Sequence, residues 1–113
     1  VKKEGKGGNM KNPETITIHV NWRKEEIWTT PPIIKVPRSG VLEWSVAGEG
    51  YHFALNFGYN SPYEKEQYQA GPGGSIPVQV LSDAPFGEYK YTIAVFNDGN
   101  LLIEDPRFIV RRG

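Results

Sequence analysis

The chain has 113 residues, enough for one core and little beyond it, so a single domain is expected. Thirteen basic residues balance thirteen acidic ones, leaving no net field to draw the protein toward nucleic acid or anionic lipid. No apolar run approaches the roughly 18 to 20 residues that span a bilayer, so membrane insertion by a helix is not expected. Cysteine is absent, which removes disulfides, thiolate metal sites and cysteine nucleophiles. The start at Val1 and the lack of cysteine leave the compartment open, since a reduced cytosol and a disulfide-free exported protein fit equally, with a secreted or periplasmic location slightly favoured.

Residues 1–13 open with VKKEGKGGNMKN, glycine- and lysine-rich, and carry too little apolar surface to offset the entropy of ordering. They read as a flexible lead to one domain over residues 14–113. From Thr15 the pattern has period two. Ile16, Ile18, Val20 and Trp22 share one parity, opposite Thr15, Thr17, His19 and Asn21, as in a half-buried strand. Arg23 to Glu26 breaks it with charge. After Pro31-Pro32, Ile34 and Val36 carry a short strand that Pro37 ends.

Leu42, Trp44 and Val46 then point one way, Gly48-Glu49-Gly50 turns the chain, and Tyr51, Phe53, Leu55 and Phe57 form the next inward row, which reads as a hairpin. Gly58 to Ser75 is a polar, tyrosine-rich excursion with one helical turn expected around Tyr63 to Tyr68. Ile76, Val78 and Val80 resume a strand, Asp83 to Gly87 is a corner, and Tyr89, Tyr91, Ile93 and Val95 give the most regular alternation in the chain. Asp98-Gly99 supplies the positive φ angles of a tight two-residue turn. Phe108 and Val110 close the pattern. About seven short strands with no amphipathic helix predict an all-β fold, an antiparallel Greek-key β-sandwich of cupredoxin-like or immunoglobulin-like type.

The segments IIKVPRSGVLEWSV, GYHFALNF and PFGEYKYTIAVF, in that order, resemble the cupredoxin family, the small blue-copper sandwiches. The likeness runs from about Ile34 to Val110, apart from the Gly58 to Ser75 excursion, and places His52, eight positions after Trp44, near the family's first copper histidine. A blue-copper site takes two histidines, a thiolate and a weak axial ligand. Ile93 stands at the cysteine position, no histidine follows it, and Met10 lies in the lead. Strand parity also sends His52 to the face opposite Phe53 and Leu55, with Tyr51 in the inward register, and His19 falls on the polar side of its own strand. No metal or other cofactor is therefore expected.

Catalysis is not expected either. The five serines lack a nucleophile elbow, the glycines before Ser75 lack the lysine and helix of a phosphate loop, and the carboxylate pairs Glu25-Glu26 and Glu64 with Glu66 read as solvated loop charges. What remains is aromatic. Trp22, Trp44, Tyr89 and Tyr91 belong to inward rows, and one of the two tyrosines resembles the corner tyrosine of Greek-key sandwiches. Trp28, Tyr59, Tyr63 and Tyr68 are the candidate partner-binding residues, with sealing of one end of the core as their alternative role. The function expected is that of a non-catalytic, copper-free module for protein interaction or assembly with a larger partner. Carbohydrate binding through exposed aromatics is the alternative.

Overall fold

The computed structural model describes residues 13–48 and 50–112. The lead expected over residues 1–13 thus lies, except for the exposed Pro13, outside the described residues. In chain order the strands are β1 (Glu14–Asn21), β2 (Glu26–Thr30), β3 (Ile34–Pro37), β4 (Val41–Val46), β5 (His52–Asn56), β6 (Gln67–Ala70), β7 (Ser75–Gln79), β8 (Gly87–Lys90), β9 (Thr92–Asn97), β10 (Asn100–Glu104) and β11 (Arg107–Arg111). They form three sheets. Sheet I has the order β2-β1-β4-β7, sheet II β10-β9-β5-β6 and sheet III β3-β11-β8. Sheets I and III are mixed, because β1 runs parallel to β4 and β3 parallel to β11, while sheet II is antiparallel throughout.

The all-β class stands, and the expectation of about seven antiparallel strands gives way, among the described residues, to 11 strands in three sheets, two of the sheets mixed. One cause is a proline. The alternation from Tyr89 to Val95 is cut between β8 and β9 at Tyr91, opposite Pro106. Tyr91 N–H donates to the Pro106 carbonyl at 3.1 Å, but Pro106 has no N–H to return, so the ladder breaks there. The register is unchanged across the break, with Ile93 opposite Glu104 on one side and Lys90 opposite Arg107 on the other. One long ribbon, 87–111, therefore contributes two strands to sheet II and two to sheet III. Its tip is the expected tight turn, with Asp98 at φ 51° and Gly99 at φ 83°.

The hairpin expected between the Leu42 and Phe53 rows is not formed. β4 lies in sheet I and β5 in sheet II, so the Gly48 to Gly50 connection crosses between sheets instead of reversing within one. Gly50, at φ 81°, is needed there twice over: the angle is left-handed, and a Cβ would sit 2.6 Å from the Gly73 nitrogen. In the excursion, extended β6 pairs with β5 where a helical turn was expected. The stretch before it is held by Ser61, whose hydroxyl donates to the Lys65 carbonyl at 2.7 Å and accepts from Tyr63 N–H at 3.1 Å.

The inward rows do converge. Ile16 and Ile18, Ile34 and Val36, Leu42 and Trp44, Phe53 and Leu55, Ile93 and Val95, and Phe108 and Val110 all enter one buried cluster drawn from the three sheets. Burial of each such side chain contributes about 1.5–3 kcal/mol. Tyr89 Oη donates to the Pro85 carbonyl four residues upstream, a bond of the corner-tyrosine kind.

Candidate functional site

The two histidines lie on different sheets. His19, on the outer face of β1, stacks on Trp28 of β2 with ring centres 5.3 Å apart and planes 13° from parallel, and its Nε2 is 2.9 Å from Thr30 Oγ1. His52, exposed on the outer face of β5, has its Nε2 3.2 Å from Gln69 Oε1 and meets the edge of Phe96 at 5.4 Å. Among the described residues no group of three or more His, Asp and Glu side chains is placed to hold a metal ion. Ile93 is fully buried in the core.

The four candidate contact residues separate in space. Trp28 is about half exposed on the outer face of sheet I, and Tyr59 is 85 % exposed in the loop after β5. Tyr68 is half-buried on β6, its Oη accepting from Lys65 N–H at 3.0 Å and its ring facing Lys65 Nζ at 5.8 Å. Tyr63 is a core residue at 2 % exposure. Its ring meets Phe57 at 4.6 Å, Phe108 at 5.6 Å and Trp44 at 6.2 Å, so it seals the cluster instead of presenting a surface.

Two of these buried phenols are shifted upward. Burial pushes Tyr91 up to about 12, moderated by the Trp44 indole N–H that donates to its Oη at 3.3 Å. Burial raises Tyr63 further, and its Oη has no hydrogen-bond partner. Because the folded pKa values lie above the unfolded value near 10, full stability is present below pH 10 and is lost as pH climbs from there through 12. A spectrophotometric titration near 295 nm is expected to show Tyr63 and Tyr91 ionising only as the chain unfolds. Ordinary titration of all six tyrosines with the fold intact would contradict this.

Open surface features occur elsewhere. On the outer face of sheet II the small side chains of Ala54 and Ala94, directly opposite each other, form the floor of a depression of about 590 Å³ walled by Asn56, Gln67, Gln69 and Thr92. Beside it on the same face Leu101, Ile103 and Phe96 are exposed, with Phe96 opposite Leu101 and Ala94 opposite Ile103. A second hollow, about 550 Å³, opens where the chain after β5 diverges from β8, between Tyr59, Phe86 and Tyr89.

Sequence reasoning fixed on rings and passed over the outward rows of β5, β6 and β9. Parity does put the small side chains of Ala54 and Ala94 at outward positions, but that they face each other across two strands is not written in the alternation. Carboxylates flagged for inspection, Glu25, Glu26, Glu64 and Glu66, are all exposed. Compared with known proteins, the chain matches no family model and no curated sequence.

Proposed function

We propose that the chain is a non-catalytic, copper-free β-sandwich of cupredoxin-like type that serves as an assembly module. Support for the two-layer arrangement comes from the ribbon that unites sheets II and III, leaving sheet I as the other layer over the shared core. The observation that carries the functional reading is strand β10. Among the described residues it ends sheet II, leaves Leu101 at 50 % and Ile103 at 59 % exposure, and has no charged side chain between Asn100 and Glu104. Edge strands are ordinarily blunted by charge, proline or a bulge, and this one has none of these between its ends.

The bonding phase of β10 names the partner. Asn97 and Asn100 flank a two-residue turn and bond to each other, so alternation gives Leu102 and Glu104 to β9 and turns the N–H and C=O of Leu101 and Ile103 outward. β2 runs near β10 but forms no ladder with it. A second copy, antiparallel about Leu102, sets Leu101 of one chain opposite Ile103 of the other, matching the free groups pairwise. With no net charge, two copies do not repel.

Sedimentation velocity from about 5 to 500 µM tests this, a range set by the weak end of edge-pairing affinities. Reversible dimerisation is expected, lost in Leu101→Asp/Ile103→Asp with circular dichroism unchanged. A wild-type chain monomeric throughout would overturn the reading. Carbohydrate binding by exposed aromatics is the second reading, and it draws on the flat, half-exposed Trp28 held against His19.

A further inference from the structure

We infer that the depression on the outer face of sheet II is a binding site for a neutral oligosaccharide. This goes beyond the assembly reading and does not depend on it, because the saccharide lies over β5, β6 and β9 while the backbone groups free for self-pairing belong to β10.

The floor excludes a peptide strand. β5 and β9 are the central strands of sheet II, each paired on both sides, so no backbone donor or acceptor faces the hollow for strand addition. Recognition falls to side chains, and those present are neutral, with both donors and acceptors. Three of them are also oriented. Asn56 Oδ1 accepts from Gly58 N–H at 2.9 Å, which leaves its Nδ2 hydrogens for a ligand. Gln69 Oε1 is engaged by His52 Nε2 at 3.2 Å, which turns its amide nitrogen outward. Thr92 Oγ1 donates to Asp105 Oδ1 at 2.8 Å, so its lone pairs accept. Gln67 completes the wall with one of each.

Two donors and an acceptor held in place, with a bifunctional amide beside them on one face, suit vicinal hydroxyls that both give and take hydrogen bonds. The Ala54 and Ala94 methyls and the 40 % exposed ring of Phe96 supply the apolar contact that sugar C–H faces need. Lys65, at the rim, is the only cation lining the hollow, so a strongly anionic ligand is not selected.

The test uses the whole chain with four soluble probes, maltohexaose, cellohexaose, xylohexaose and mannohexaose, by titration calorimetry and by following side-chain amide resonances. At least one probe is expected to bind and to shift the Asn56, Gln67 and Gln69 amides. Ala54→Gln, which fills the floor, and Gln69→Ala are each expected to weaken binding by about tenfold or more, the loss of one to two oriented hydrogen bonds. Leu101→Asp alone, which leaves Ile103 in place beside the Ala94 floor and disturbs the self-pairing edge, is expected to bind as wild type does. Failure of the wild type with all four probes overturns the inference, and so does binding that survives Ala54→Gln in a folded variant.

Discussion

Trp44→Ala is expected to lower the unfolding free energy by about 3–5 kcal/mol, the range for removing a large ring from a close-packed interior. The indole is fully buried and sits among Phe57 at 5.7 Å, Tyr91 at 5.8 Å and Tyr63 at 6.2 Å, so truncation leaves a void walled by rings that cannot fold into it. A second loss adds to the first. Trp44 Nε1 is the donor to Tyr91 Oη, and without it a buried hydroxyl is left with one partner fewer. Against a total stability of about 5–15 kcal/mol, the variant stands near the edge of folding. Urea denaturation followed by far-ultraviolet circular dichroism checks it, and a loss below about 1 kcal/mol would show that the cluster is not the centre of the core.

At Tyr63 the expected effects have opposite signs for two substitutions. Tyr63→Phe is expected to stabilise the protein by about 1 kcal/mol, because it removes a buried hydroxyl without a partner and keeps every ring contact. Tyr63→Ala is expected to cost about 3–5 kcal/mol by emptying the space between Phe57 and Phe108. Midpoints in urea at constant slope measure both. A clear loss on Tyr63→Phe would mean that the hydroxyl has a partner, such as a water. The pair also shows how a partner-capture experiment must be read: capture lost by Tyr63→Ala would report a collapsed core, whereas Tyr59→Ala, at an exposed position, would report contact.

Parity carried the sequence reading as far as local chemistry reaches. Ile16 with Ile18, Leu42 with Trp44, and Phe53 with Leu55 are buried where alternation put them, and His52 and His19 point away from the core for the same reason. Three strands escaped. In β2 the inward positions are Ile27 and Thr29 while the ring of Trp28 points outward, so polarity and alternation disagree. β6 reads QYQA, an edge segment with nothing fully buried to announce it. β10 is short and exposes its apolar side chains, the reverse of the usual signal.

Partners were beyond the pattern altogether. Two alternating rows around Gly-Glu-Gly satisfy every local requirement of a hairpin, yet β4 and β5 belong to different sheets, since pairing is settled by what else competes for each edge. The depression was similarly invisible until Ala54 and Ala94 were known to be cross-strand neighbours. A linear reading finds rings because rings are conspicuous. It does not find a hollow, which is made by what small residues omit.

The pairing of β3 has a consequence for how the nascent chain must mature. Among the described residues β3 touches a single ladder partner, β11, with Ile34 opposite Phe108, so it waits through the synthesis of seven intervening strands before its backbone is satisfied. Ile34 and Val36 meanwhile remain sticky. Closing so long a loop in sequence makes this a slow, late step, with the completed interior arriving nearly all at once.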